Sequence, residues 1–265
     1  MRQDSENSLI INTYSITPET LIDKDFITSY FSFEVDINDV FPESFRDLYP
    51  KLWILVQPYL KVRVMRQDPF ETMVTFMCAQ GIGMGLIRRQ VSMISERFGE
   101  VLSVDTAKGI LRLHSFPTPS ALASADINEL AQCTNNNRIR AANIIEMSRS
   151  FERGALAMAC VRSGECPLET LRESLYAHRG IGMKIADCIA LFGLGRFDAF
   201  PIDTHVKQYL WEWFGIEAAR RSLTERNYRY LQDEVRKILG HEFAGYAGHI
   251  LFHCWRTEVR KMTAF

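Results

Sequence analysis

The chain has 265 residues, a formal net charge of −1 and 47% hydrophobic side chains, enough for a sizeable core in one two-lobed domain or two small ones. So balanced a charge excludes a general attraction to polyanions, and nucleic-acid binding would need a local basic surface with oriented backbone amides. Apolar runs such as residues 52–56 fall far short of the ~20 residues of a membrane span, and the polar start lacks a signal-peptide core. A cytoplasmic location is expected.

Residues 9–16 alternate apolar and polar side chains, as a short strand does; such a strand must pack on the main body or pair. Over 26–64 an aromatic and acidic mixture is interrupted by Pro42 and Pro50 and reads as short helices and turns. At Asp68-Pro69-Phe70-Glu71 a capping aspartate, a proline at the first helical position and a glutamate lead into apolar Phe70, Val74, Met77 and Cys78, which predicts a helix. The glycine-rich stretch 80–85 breaks it, and 86–98 resumes a helical pattern with Arg88, Arg89 and Arg97 on the exposed face. The glycine spacing is not that of a nucleotide cradle, and no strand precedes it.

Asp126 and Glu129 form a capping box that predicts a helix to about Gln132. After the loop 133–137 comes a helix with Ile139, Ile144, Ile145 and Met147 as core candidates. Arg138 and Arg140 stand at its start, where cations gain nothing from the helix dipole; placement for a ligand and ordinary solvation both fit. Leu168, Leu171 and Leu175 form one apolar stripe before the turn Gly180-Ile181-Gly182, and Ile185, Ile189 and Phe192 form another after it, closed by Gly193-Leu194-Gly195. Helices over 204–214, 227–239 and 244–261 complete an all-α fold whose only β element is at the N-terminal edge. Cys78, Cys133, Cys160, Cys166, Cys188 and Cys254 are scattered, with no CxxC pair and no clustered histidines, so reduced structural thiols and no metal or iron–sulfur site are expected.

The chemistry is expected in 168–206. Two helices around a two-glycine turn can aim backbone N–H groups at a phosphate; Gly180 and Gly182 are read as positive-φ residues that also let a nucleic-acid backbone approach. A plain αα-hairpin without a ligand is the alternative. Lys184 lies in the first turn of the second helix, where the positive helix end and desolvation favour the neutral, nucleophilic amine; a snorkelling surface lysine is the other reading. Asp203 precedes a helical run and is an N-cap, a role compatible with stabilising a developing cation. His205 is either a nucleic-acid contact or an ordinary polar residue at a helix start.

Gly180-Ile181-Gly182-Met183-Lys184-Ile185-Ala186-Asp187-Cys188 together with Pro201-Ile202-Asp203-Thr204-His205 resembles the helix-hairpin-helix, Gly/Pro-rich loop and Asp signature of the base-excision DNA glycosylases, the HhH-GPD superfamily. The lysine makes the chain similar to the bifunctional branch, and the match is best to the 8-oxoguanine DNA glycosylase group. Residues 30–36, 66–71 and 246–252 also resemble segments of that group, so the likeness spans about 26–255. It implies two helical lobes around a cleft, 26–67 plus 194–265 and 68–193, with 1–25 as an extension. It further implies a base flipped out of duplex DNA, attack of Lys184 on the sugar C1′, and stabilisation of the cationic sugar by Asp203.

By the same resemblance Cys188 and Phe252 sandwich the flipped base. Gly180 and Gly182 hold the DNA backbone, with room at the hairpin for a structural monovalent cation and no other cofactor. Arg138 keeps an arginine that contacts the opposite base, and His205 is a DNA contact. Several positions depart from the group. Gly81-Ile82-Gly83 replaces an asparagine run that holds the opposite cytosine, and Leu86 replaces an arginine. Asn137 stands where an aromatic wedge is usual, and Gly248 replaces a glutamine on the base edge. The implied protein is a monomeric glycosylase and β-lyase on damaged double-stranded DNA, located at the nucleoid if bacterial. Its implied substrate is an oxidised purine, 8-oxoguanine, with a relaxed opposite-base preference. An alkylated purine as substrate, or a non-catalytic DNA-binding module, are the alternatives.

Overall fold

The computed structural model describes residues 2–5, 8–10, 23–106, 109–154 and 166–261. Strands β1 (Arg2–Ser5) and β2 (Ser8–Ile10) pair antiparallel; the expected strand over 9–16 is met at its start, and its remainder lies outside the described residues. Next come α1 (Lys24–Tyr30), α2 (Glu43–Leu48) and α3 (Pro50–Val56), the last started by Pro50 in the first turn, where its missing N–H costs nothing. Helix α4 (Pro69–Cys78) begins as the sequence predicts: Asp68 accepts from the Glu71 N–H at 2.9 Å. Helix α5 (Met84–Phe98) follows the glycine-rich break.

Between α5 and the next helix the chain forms a hairpin that the sequence reading missed. Strands β3 (Val101–Thr106) and β4 (Gly109–His114) pair antiparallel with Val101 opposite His114 and Thr106 opposite Gly109. Leu102, Val104 and Thr106 are half-buried while Val101, Ser103 and Asp105 are exposed, the period-two alternation of a strand. That signal was present in the sequence.

Helices α6 (Pro119–Ala123), α7 (Ile127–Cys133), α8 (Arg138–Glu152), α9 (Leu168–Tyr176), α10 (Met183–Leu194), α11 (Thr204–Phe214), α12 (Glu225–Leu239) and α13 (Ala244–Cys254) complete the fold. The final helix is shorter than the expected 244–261 and passes into a π-helical turn, Trp255–Val259. Asp126 caps α7 and Asp203 caps α11 as the sequence announces, and Asn137 on α8 and Thr224 on α12 are further caps that the sequence reading did not name.

The helices gather in two groups. Helices α4 to α10 pack on one another, while α2, α3, α11, α12 and α13 form the second group. One apolar core runs through both, from Phe41 and Phe45 by way of Met73, Met77 and Ile144 to Leu191, Tyr209, Tyr246 and Trp255. Each such large side chain contributes about 1.5–3 kcal/mol by leaving water. Ile144, Ile145 and Met147 are core residues as expected, but Ile139 is 76% exposed.

The expectation of reduced thiols holds for Cys78, Cys133, Cys188 and Cys254, which are buried and free. Cys166 instead is disulfide-bonded; Cys160 lies outside the described residues.

Candidate active site and nucleic-acid interface

Helices α9 and α10 form the anticipated helix-hairpin-helix. Leu168, Leu171 and Leu175 are buried on the first, Ile185 and Ile189 on the second. The turn closes through His178 N–H to Leu175 O and Ile181 N–H to His178 O, both at 3.1 Å. Gly180 has φ +87°, a conformation that calls for glycine, and a Cβ there would also press on Asn143 Nδ2 at 2.9 Å, a side-chain end that can shift. Gly182 corrects the expectation of a second positive φ. It is the extended N-cap of α10 (φ −94°, ψ 179°), and a Cβ there would meet nothing within 4 Å. What glycine leaves at this position is an open approach to the first N–H groups of α10, which have no partners within the helix.

The hairpin is tied to the glycine-rich loop before α5. Gln80 Nε2 donates to Gly180 O, and Arg140 donates to Gln80 O (3.0 Å) and to Gln90 Oε1 (3.3 Å). Arg140 is therefore a structural tie. Arg138 is exposed and donates to Asn128 Oδ1; the structure does not bring it to Lys184 or Asp203.

Lys184 lies in the first turn of α10, half-buried, with Nζ 5.4 Å from the centroid of the Phe76 ring. One turn on, Cys188 is 3% exposed. Burial pushes its thiol up to about 12; the Lys184 amine, which hydrogen-bonds it, pulls the other way, while Asp187 and Asp203 push it up further. A thiol so placed stays protonated and is no nucleophile near neutral pH. Lys184 and Asp203 thus both act electrostatically on the Cys188 thiol.

Asp203 caps α11 with a single oxygen: Oδ1 accepts from the His205 and Val206 N–H groups, both at 2.8 Å. The cap thus leaves Oδ2 uncommitted. Beyond it, the His205 ring lies 6.1 Å from Phe252, and the guanidinium of Arg256 lies 5.6 Å from the same ring. Burial lowers the Arg256 pKa and Asp203 opposes that shift, which places Arg256 in the same electrostatic neighbourhood. His205 is half-buried, with Nδ1 enclosed and, among the described residues, without a hydrogen-bond partner. Gly248 is turned away from this space: a Cβ there would lie 2.2 Å from the Phe200 ring. Its smallness serves helix packing.

A buried polar clamp fixes the Asp203 loop to the lysine helix. Arg172 on α9 (1% exposed) pairs with Asp187 on α10 (0% exposed) at 2.7 Å. Asp187 Oδ2 also accepts from Tyr228 Oη and Gln232 Nε2, each at 2.7 Å. Gln232 donates to Phe200 O at 3.0 Å, and the Ile202 N–H donates to Tyr228 Oη at 3.0 Å. Burial pushes Asp187 up to about 6, with Arg172 the main opposing influence. Tyr228→Phe strips a donor from Asp187 and an acceptor from Ile202. It is expected to lower stability by about 1–3 kcal/mol, read as a reduced urea midpoint at unchanged slope.

Sequence reasoning missed Phe76, Arg256 and the clamp. Phe76 lies off the apolar positions named for its helix, Arg256 stood in a stretch read as regular helix, and nothing local marks a pairing across 41 residues such as Tyr228 with Asp187.

Residues 1–73 match the 8-oxoguanine DNA glycosylase N-terminal domain family, which carries the likeness to residue 1 rather than to about 26. Residues 88–233 match the family described as HhH-GPD superfamily base excision DNA repair protein. The N-glycosylase/DNA lyase of Saccharomyces cerevisiae is 26% identical, over 94% of this chain and 70% of the yeast protein. The apo crystal structure of the Clostridium acetobutylicum 8-oxoguanine glycosylase/lyase superposes with a TM-score of 0.72 at 26% identity, over 87% of this chain and 74% of the clostridial one. The 3-methyladenine DNA-glycosylase of Archaeoglobus fulgidus shares the fold, with a TM-score of 0.66 at 20% identity over 88% of this chain and 74% of that one. With the hairpin, the Gly/Pro-rich loop and the capping aspartate in place, and more than half of its length matched, the chain belongs to the HhH-GPD superfamily of base excision DNA repair proteins.

Proposed function

We propose that the protein is a bifunctional DNA glycosylase and AP lyase that removes an oxidised purine, 8-oxoguanine, from duplex DNA. The observation that carries this is Lys184 in the first turn of the second hairpin helix and Asp203 at the N-cap of the next helix, both acting on the inert Cys188 thiol. Mere binding needs neither group. The yeast relative is named an N-glycosylase/DNA lyase, and the clostridial enzyme has been crystallised with double-stranded DNA containing cytosine opposite 8-oxoguanine; both support the reading.

On this reading the hairpin amides around Gly180 and Gly182 hold a phosphate of the damaged strand. The Lys184 nitrogen attacks C1′ with its lone pair, and the C1′–N9 bond breaks with its electron pair leaving on the base, which takes up a proton. Asp203 stabilises the positive charge that develops on the sugar. The substituted nitrogen loses a proton, and its lone pair forms the C1′=N Schiff base as O4′ leaves with the ring C–O electron pair and is protonated. Removal of a C2′ proton then expels the 3′-phosphate oxygen with its electron pair, and water hydrolyses the imine to restore Lys184. A monovalent cation at the hairpin would be held by backbone carbonyls, which are hard, neutral oxygens, and no step runs through it.

The lobes are taken as 26–67 plus 194–265 and 68–193, with 1–25 as an extension, acting as a monomer in the cytoplasm, at the nucleoid in a bacterium. Among the described residues no helix is long and apolar enough to cross a membrane. Cys188 and Phe252 are taken as the walls of the base site, and Arg138 and His205 as DNA contacts. The surface around Gly81, Ile82, Gly83 and Leu86 offers few side-chain donors, and Leu86 is exposed, which favours a relaxed opposite-base preference.

The deciding experiment is a panel of duplexes carrying 8-oxoguanine, an alkylated purine or an abasic site opposite each of the four bases, with base release and strand cleavage followed separately. Release of 8-oxoguanine at rates within about tenfold across the four partners is expected, since loss of a bidentate contact is worth roughly 1–3 kcal/mol. Release of the alkylated purine alone would assign a different lesion, and salt-sensitive binding without release would leave a binding module.

A further inference from the structure

Helix α13 carries His249 and Phe252 one turn apart on one face. Phe252 meets His205, two residues beyond Asp203. His249 packs edge-on against Phe192, with ring centroids 5.3 Å apart. Phe192 continues the stripe of α10 that starts with Lys184 and Cys188 at intervals of four. It stacks at 5.7 Å on Phe76, the ring that lies beneath the Lys184 amine. His249 and Lys184 therefore flank one aromatic pair, on the side of the molecule where Asp203, His205 and Phe252 also meet.

The imidazole in this position has no structural partner. Among the described residues neither ring nitrogen of His249 has a hydrogen bond, and neither is sealed from solvent as His205 Nδ1 is. The residue is nonetheless partly buried, and burial, with His253 adding in the same direction, pushes its pKa down to about 4. At neutral pH the ring is neutral, with one N–H donor and one bare nitrogen acceptor. A phenyl or aliphatic side chain would pack against Phe192 without desolvating two polar atoms. Gly248, the neighbouring position, faces Phe200 and brings no polar group to the space.

We infer that His249 is a specificity-determining residue that reads the edge of the extruded base with its bare ring nitrogen, which accepts from an N–H on that edge. The inference rests on the glycosylase reading above. The chemical class it fits is a purine whose edge sets an N–H beside carbonyl oxygens, as oxidation at C8 does by converting N7 from an acceptor into a donor. The base enters between Cys188 and Phe252, beside the Phe192 ring on which His249 packs, and the neutral imidazole meets its edge while Lys184 addresses the sugar.

Three proteins test it: wild type, His249→Phe, which keeps the aromatic contact, and His249→Gln, which keeps a donor and an acceptor. Each is assayed in single turnover on a duplex with 8-oxoguanine and on the same duplex with an abasic site, where no base remains to be read. His249→Phe is expected to lose roughly 10- to 100-fold on the lesion, the worth of a good base-edge pairing, while abasic-site cleavage stays within about twofold. His249→Gln is expected to recover most of the loss. An unchanged lesion rate in His249→Phe, or equal losses on both substrates, would overturn the inference; should the Phe variant not fold, His249→Leu takes its place. A wild-type enzyme that cleaves abasic DNA but releases no oxidised purine would instead remove the glycosylase reading itself.

Discussion

Lys184→Gln is expected to abolish covalent trapping on lesion-bearing duplex DNA in the presence of borohydride. An amide nitrogen is not nucleophilic and cannot form an imine, so no reducible intermediate accumulates. Loss of a covalent nucleophile costs at least about 10⁴-fold in turnover, and nothing else nearby replaces it: the Cys188 thiol is pushed up to about 12 and stays protonated. The variant should still fold, since Lys184 is half-buried and its interactions among the described residues are with an aromatic ring and a thiol. It should also still bind DNA, because the hairpin amides are untouched. Trapping at the wild-type level would sink the Schiff-base mechanism.

Asp203→Asn should slow base release about 10²- to 10³-fold, the usual loss when one electrostatic stabiliser of a transition state is removed, with DNA affinity changed less than about threefold. The substitution separates two roles of one side chain. Asparagine caps helices about as well as aspartate, so its oxygen can keep the His205 and Val206 N–H bonds that Asp203 Oδ1 accepts. Only the charge is lost. Unimpaired turnover in this variant would reduce Asp203 to a cap, and a large drop in melting temperature would mean that the charge serves stability.

The parts of the fold that local rules govern were legible. The start of α4 at Pro69, the start of α11 at Thr204 and the glycine end of α10 each depend on a few adjacent residues, and the structure has them where capping chemistry predicts. Lys184 and Asp203 were legible because their helix-terminal positions are fixed by the same rules. What escaped was set by contacts distant in sequence or by competing explanations. Gly182 was read as a conformational glycine, yet its φ is ordinary and its open side is what counts. Gly248 was read as a lost base contact, yet it is required by Phe200. His249 carried no local signal at all, since an isolated histidine in an apolar helix face is silent until the helix across from it is known.

The tie from Arg140 through Gln80 to Gly180 O bears on attempts to redesign the enzyme. On the proposed function, the loop that would face the partner strand and the turn that would grip the damaged strand share one hydrogen-bonded joint, so they are not interchangeable cassettes. A polar loop transplanted at 81–86 to enforce strict partner choice would have to leave Gln80 in place, or the graft would loosen the grip on the lesion strand while tightening the choice of its complement.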